Sequence, residues 1–556
     1  MLITVIVVTA FLMHYVEDLK NRRRMILQRT FRVYKKSRSS LFLQNNVIVP
    51  LEDNHFCRFP PVSSEDALEQ HLLQESLAWP ETPALSADFS LLKTTCPRRS
   101  TFTILPKDDG EQWHVGDQLE VSIKMYDFRG IPRKTGGDFL IARLHNPFLL
   151  AGVVGQITDH HDGSYSAVFP LLWSGNAAVE VTLVHPSDGV SVLRKLNEES
   201  PDRIKFVSIF QKGRLSVRTT CNVCLRPTKR QICNFTDVQT GEPWFCYKPG
   251  KLQCDTRVVH TKRSSAIKIG PYETLFHNKT NMKIPIPPSG PGSVNVLPVD
   301  KDDQEAKNKI RSSGVAGYYY RDVWHAVSGS RVQRFSTPDE ISSCLQGKEL
   351  HLYGDSTIRQ WYEYLNESLP DLKEFDLHSL KQIGPFMAFD YKKNIYVNFQ
   401  CHGPPIRFAQ VPVAQLSYIA NKLDTVVGGA NTVVVIGIWS HFSTFPVEIY
   451  IRRLQTIRKA VVRLLARAPA TLVVIRTSNL KQLSIFETVT NSDFYTMERD
   501  KILRAVFKDV NVRWVDAWEM TLAHYLPHEL HPQTPIVKNM IDVLLSHICP
   551  LKRRKI

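Results

Sequence analysis

The stretch Leu350-His351-Leu352-Tyr353-Gly354-Asp355-Ser356 constrains this chain more than any other. It is an apolar run that closes in Gly-Asp-Ser. A helix-like pattern, Thr357-Ile358-Arg359-Gln360-Trp361-Tyr362-Glu363-Tyr364-Leu365, starts at once. A serine at a strand-to-helix turn is lifted out of the sheet, beside backbone N–H groups that can hold an oxyanion. An acyl-transfer nucleophile needs that setting. Ser356 is therefore the candidate centre of an enzyme.

The same texture continues from about Gly347 onward. Strand-like Glu349–Tyr353, Thr432–Gly437, Thr471–Ile475 and Val512–Val515 alternate with helical patterns, the last at about Val537–His547. Apolar strands alternating with helices predict a parallel sheet with helices on both faces. Ligands of such sheets bind outside the carboxyl ends of the strands, where Ser356 and Trp439-Ser440-His441 both fall. In the helix after Pro446, Tyr450, Leu454, Ile457, Val461 and Leu464 form one apolar face. Arg452, Arg453, Arg458, Lys459, Arg463 and Arg467 occupy its other positions and read as a solvated face.

At 556 residues the chain needs two or more domains. Its 43% hydrophobic and 22% charged residues exclude a disordered chain. Met1 to Val16 carry no formal charge and read as a signal or signal-anchor segment. Nine Lys and Arg and no acid follow between Lys20 and Arg38, and Lys552-Arg553-Arg554-Lys555 lies close to the end. No zinc-finger, homeodomain or RRM-type pattern accompanies this charge, so no nucleic-acid partner is expected. From about Ser86 to Val217, short alternating runs such as Gln118–Tyr126 and Ala178–Val184 predict an antiparallel β-sandwich. His160 and His161 fall in a polar turn of it.

Cys221, Cys224, Cys233, Cys246 and Cys254 cluster in one stretch and predict disulfides of an oxidising compartment. Cys96 is the candidate partner for the odd fifth cysteine. Cys221-x-x-Cys224 has zinc-ligand spacing but no matched second pair. Sequons at Asn234, Asn278 and Asn366 suit the secretory pathway. The division is then a signal or signal-anchor segment (1–19), a basic stem (20–85), a β-sandwich (86–218), a Cys-rich module (219–260), a linker (261–312) and an α/β catalytic domain (313–550).

A serine nucleophile needs a base from elsewhere in the fold. Of nineteen histidines, His531 stands out, because His531-Pro532 precedes the terminal helix at the catalytic rim. His524, His528 and His531 lie close together with Glu529, but His528-Glu529-Leu530-His531 lacks the spacing of two ligands on one helical face, so no metal is expected.

Gly354-Asp355-Ser356 together with the late His-Pro resembles the SGNH/GDSL esterases, and within them the PC-esterase branch of polysaccharide and sialate O-acetyltransferases. Tyr126-Asp127-Phe128-Arg129-Gly130, Gly136-Gly137-Asp138-Phe139-Leu140, Phe169-Pro170-Leu171-Leu172-Trp173 and the Cys-rich stretch resemble the neurexophilins. The chain is thus identified as a member of the neurexophilin and PC-esterase family. The resemblance implies a filamin- or immunoglobulin-like sandwich followed by an SGNH-type α/β domain. It implies Ser356 as nucleophile, His531 as general base and Asp355 as a turn-shaping residue. The branch carries Asp-x-x-His at the last site, where this chain has His528. Glu529, Asp516 or a backbone carbonyl would then orient His531. Gly384 and Ser440 are candidate oxyanion or structural supports. The implied function is transfer of acetyl, with acetyl-CoA as donor and no bound cofactor, to a glycan such as a sialylated one. The same site would serve an O-acetyl esterase. A non-catalytic secreted or cell-surface binding protein is the alternative of another class. The implied location is the Golgi lumen, membrane-anchored, or the exterior.

Overall fold

The computed structural model describes residues 56–550, except 58, 60–62, 81–88, 108–109, 264–266, 268, 300–303, 328–330 and 409. The expected signal or anchor, most of the stem and the basic cluster at 552–555 lie outside the described residues.

The N-terminal half begins with two antiparallel sheets. One orders its strands Thr101–Ile104, Gln118–Lys124, Ser164–Pro170, Gln156–Asp159. Alternation buries Leu119, Val121 and Ile123 and turns Gln118, Glu120 and Lys124 outward. The second sheet centres on Phe139–Asn146 and Gly175–His185. Its inner side chains, such as Leu144, Val153, Val181 and Leu183, join those of the first sheet in one apolar core.

Three boundaries differ from expectation. Residues 261–312 were expected to be a linker, yet Ile284–Ile286 and Ser293–Leu297 both pair with Gly175–His185. Pro285 is tolerated because Ile284–Ile286 is a short pairing off the main strand order. The hairpin Gly317–Tyr320 and Val323–Ala326 also pairs into this sheet, through Tyr319 and Gly152, so it precedes the α/β unit. Lys205–Lys212 and Leu215–Asn222 leave the sandwich. They form a third sheet with Ile232–Asn234, Phe245–Tyr247 and Arg257–Arg263, extended by Val411–Pro412 from the C-terminal half.

Disulfides Cys221–Cys246 and Cys233–Cys254 staple that third sheet. Cys224 pairs with Cys57 and not with Cys96, which is buried and free. A fourth disulfide, Cys344–Cys549, joins the two ends of the α/β unit. Cys57 ties the stem down beside helix α1 (Ser64–Glu75), which packs on the long helix Val447–Arg467. The expected solvated face of that helix is accordingly covered. Lys459 meets Asp66 at 2.8 Å, Arg458 meets Glu69, and the buried Arg453 meets Glu242 at 3.0 Å.

The C-terminal sheet has five parallel strands, β1 (Glu349–Gly354), β2 (Ile395–Cys401), β3 (Thr432–Gly437), β4 (Leu472–Arg476) and β5 (Arg513–Val515), in the order β2-β1-β3-β4-β5. An antiparallel strand, Phe386–Asp390, flanks β2. Its helices include α2 (Ser356–Ser368), α3 (Val447–Arg467), α4 (Asp493–Val506) and α5 (Thr534–Ile548). Val433 and Val435 pack in one core with Ile358 and Trp361 of α2 and Leu544 of α5. Val434 and Ile436 pack in the other with Tyr450, Leu454 and Ile457 of α3. Both faces are covered, which is why the strands are apolar throughout. The chain leaves β1 toward β2 on one side and reaches β3 on the other, and the crevice of such a sheet opens at that switch point.

Candidate active site

Gly354 ends β1 opposite Gly437 of β3, and a Cβ at Gly354 would lie 2.1 Å from the Gly437 carbonyl oxygen. No other residue fits there, so β1 and β3 approach closely where α2 begins. Asp355 caps that helix. One carboxylate oxygen accepts from Thr357 N (2.9 Å) and Thr357 Oγ1 (2.7 Å), and the other from Ser440 N (3.4 Å). Asp355 is fully buried and spent on these donors, so it shapes the turn.

The next residue, Ser356, is 6% exposed, and its hydroxyl lies 2.8 Å from His531 Nε2. The two residues are 175 positions apart in sequence. The Ser356 O–H donates to a neutral imidazole in this arrangement. Burial, reinforced by Arg359, lowers the pKa of His531 below its ordinary value of 6.5, and Asp355 and Glu363 oppose that shift. The ring is thus unprotonated at neutral pH although its outer edge remains open to solvent.

The loop carrying His531 is held by amides. Asn479 Nδ2 donates to the carbonyls of Glu529 (3.0 Å) and Leu530 (3.4 Å), while Gln360 Nε2 donates to that of Pro532 (2.7 Å). Arg476 Nη2 fixes Asn479 through its side-chain oxygen at 2.7 Å. From the sandwich, Arg143 Nη1 reaches the His524 carbonyl at 2.6 Å.

Among the described residues no carboxylate hydrogen-bonds His531. The Glu529 side chain is exposed and makes no hydrogen bond to the ring, contrary to its expected role. Asp516 is turned away, held by Arg504 at 2.7 Å and capping Ala517–Leu522. His528 points toward Lys283, 3.4 Å away, and burial pushes its pKa down to about 3. Gly384 does not line the site. It occupies a left-handed turn (φ 71°) against Phe386 and Phe399. Ser440 does line it, but its backbone N–H is committed to Asp355.

Ser356 and His531 open onto a cleft of 320 Å³ that also includes Arg359, Ser440, His441, Asn491, Arg407 and Lys262. His441 Nδ1 lies 2.8 Å from His402 Nε2, and burial keeps both rings neutral. Sequence reasoning missed Asn479, Gln360, Arg407 and Lys262. Only Asn479 left a signal, since it follows the carboxyl end of β4 by three residues.

Two family descriptions match, in this order along the chain: "Neurexophilin" over residues 84–269, and "NXPE family member 4-like, C-terminal domain" over residues 324–549. The chain belongs to the neurexophilin and PC-esterase (NXPE) family. The NXPE match in the C-terminal half contains Ser356 and His531, and the neurexophilin match contains Lys262. One solved structure, of invasin, a bacterial integrin-binding protein, is similar at 12% identity over 56% of this chain, with a TM-score of 0.13. This NXPE chain spans 60% of that structure's length, and a likeness so slight carries no argument.

Four disulfides and a neurexophilin match fit a protein of the secretory pathway. Among the described residues no helix is long and apolar enough to cross a membrane. Asn278 is exposed in a turn and open to glycosylation. Asn234 ends a strand, half-buried. Asn366 lies within α2 with its side-chain oxygen buried, a poor acceptor.

Proposed function

We propose that this chain is an O-acetyltransferase of the secretory pathway that carries acetyl through Ser356 to a hydroxyl of a glycan, with sialylated glycans as the first acceptors to test. His531 Nε2 takes the Ser356 proton as Oγ attacks the carbonyl of a donor such as acetyl-CoA. The thiol leaves with that proton, and acetyl remains as an ester on Ser356. The acceptor hydroxyl then gives its proton to His531 and attacks the ester, which restores the serine. The Ser356 N–H, at the first position of α2, would help hold the oxyanion. On this reading the C-terminal half is an SGNH-type domain and the sandwich is filamin- or immunoglobulin-like. The supporting observation is the 2.8 Å Ser356–His531 contact at the switch point of the sheet.

The same residues with water as acceptor would make an O-acetyl esterase. Exclusion of water from the acyl-enzyme separates the two. A binding protein without catalysis is the second reading, and the missing carboxylate on His531 favours it. Incubation of the purified luminal protein with labelled acetyl-CoA and a sialylated acceptor, beside Ser356→Ala, decides among them. Label on the acceptor that depends on Ser356 is the expected result. Label that persists in Ser356→Ala overturns the mechanism, and absence of transfer together with inactivity on a broad ester panel selects the binding protein.

A further inference from the structure

Among the described residues, the cleft carries cations that no carboxylate of the protein contacts. Arg359 is matched by Glu363 at 2.9 Å, but among the described residues neither Arg407 nor Lys262 makes an ion pair. Arg407 Nη1 donates to the Thr490 carbonyl (3.0 Å) and Nη2 to Thr444 Oγ1 (3.1 Å), while its Nε is buried without a partner. Burial disfavours its charged form, and the charges of Arg203 and Arg499 repel it. The Lys262 ammonium lies over the Phe486 ring at 5.8 Å. Glu487 acts on it only through space, and the Glu487 carboxylate accepts from Ser484 Oγ at 2.7 Å.

The backbone brings the two cations to one cleft. Strand Arg257–Arg263 of the disulfide-stapled sheet aligns the segment after β2: His260 Nε2 lies 2.8 Å from the Ile406 carbonyl, and Lys262 N donates to Phe408 O at 2.9 Å. Both side chains line the same cleft as Ser356 and His531. A half-buried guanidinium without a counter-ion is costly unless a ligand supplies one, and guanidinium is suited to carboxylate and phosphate.

We propose that Arg407 and Lys262 form an anion subsite that takes a carboxylate or phosphate of the substrate while Ser356 acts elsewhere on the same molecule. This deepens the acyl-transfer reading and rests on it. It also makes the site a joint product of both halves, since Lys262 comes from the neurexophilin-like one.

The test uses the full chain carrying Ser356→Ala, so that nothing turns over, and isothermal titration. The probes are N-acetylneuraminic acid against its methyl ester, and 3′-phosphoadenosine 5′-diphosphate against adenosine. At least one anion should bind, and Arg407→Gln and Lys262→Gln should each weaken it roughly ten-fold or more. The uncharged analogue should not respond. Whichever anion loses affinity tells whether the subsite serves an acceptor carboxylate or a donor phosphate. Lys262→Gln removes a side chain with no structural hydrogen bond, so it remains informative even if Arg407→Gln fails to fold. Binding of neither anion, or binding indifferent to both substitutions, overturns the proposal. Hydrolysis of 4-nitrophenyl acetate by the chain with Ser356 intact checks the underlying chemistry separately. Hydrolysis that requires Ser356, combined with anion binding indifferent to both substitutions, sinks the subsite alone. Absence of both Ser356-dependent hydrolysis and Ser356-dependent label transfer from acetyl-CoA sinks the acyl-transfer reading.

Discussion

Ser356 stands on a turn fixed by strand pairing, a glycine contact and a buried carboxylate, whereas His531 stands on a loop fixed by two neutral amides. The first arrangement has no freedom to lose. Gly354 meets Gly437, and Asp355 holds three donors with its two oxygens. The second leaves the far nitrogen of His531 without a carboxylate among the described residues, and depends on Asn479 and Gln360 for loop position. The nucleophile is therefore placed by the fold itself, and the base by contacts that a single substitution can remove. That asymmetry predicts which variants lose stability and which lose rate.

The largest expected effect is on rate alone. Ser356→Ala should reduce acetyl transfer by about 10⁴-fold or more, with stability changed by about 1 kcal/mol or less. Unchanged turnover would move the chemistry to another residue. Asp355→Ala comes next and should act on stability, lowering it by about 2–3 kcal/mol in urea unfolding, through the lost cap and the stranded Thr357 and Ser440 donors. A cost near zero would mean that the turn is held by its backbone alone. Asn479→Ala should show the opposite profile. Its stability cost is about 1 kcal/mol, but kcat should fall roughly ten- to hundred-fold with little change in KM, because the base loop loses its anchor. A kcat within about two-fold of the unsubstituted chain would break the contrast between turn and loop.

The two regions also differ in how far they could be read in advance. The nucleophile turn is local: an apolar run, Gly-Asp-Ser and a helical pattern are contiguous, and β1 and α2 form where that pattern puts them. His531 was legible from its place before the last helix. Its supports were not, because Asn479 acts on carbonyls about fifty residues downstream and Gln360 looks like any polar helix residue. Charge misled in the same way. Arg453, Arg458 and Lys459 satisfy a helical pattern with a wet face, but their partners Glu242, Glu69 and Asp66 lie over two hundred residues away. Cys57 was passed over because it lies outside the cluster that contains its partner, Cys224.

A smaller effect should appear in the pH profile. The His531 pKa is depressed below 6.5, so the unprotonated base is lost only as pH falls through that lower value. kcat/KM should rise with pH through a single step below 6.5 and then stay flat to about pH 8. Arg359 is one of the causes of the depression, and Glu363 opposes it. Arg359→Gln removes the cation and frees the Glu363 carboxylate, and both changes raise the His531 pKa. The step should therefore move to higher pH by a few tenths of a unit. A shift to lower pH would mean that the titrating group is not His531.

The smallest expected effect tests the histidine loop most directly. Glu529 is the acid nearest His531 in sequence, and a carboxylate that orients a catalytic histidine supports its tautomer and stabilises the imidazolium. Here that carboxylate is exposed and makes no bond to the ring, while the Glu529 backbone carbonyl is what anchors the loop through Asn479. Glu529→Gln keeps the backbone and removes only the charge, so kcat/KM should stay within about two-fold. Asn479→Ala disturbs the backbone contact and leaves the charge in place. If the glutamine variant instead loses ten-fold or more while Asn479→Ala loses little, the loop reorganises on substrate binding to bring Glu529 onto His531. The base would then be oriented by a carboxylate after all, and the contrast with the rigid nucleophile turn would hold only for the free protein.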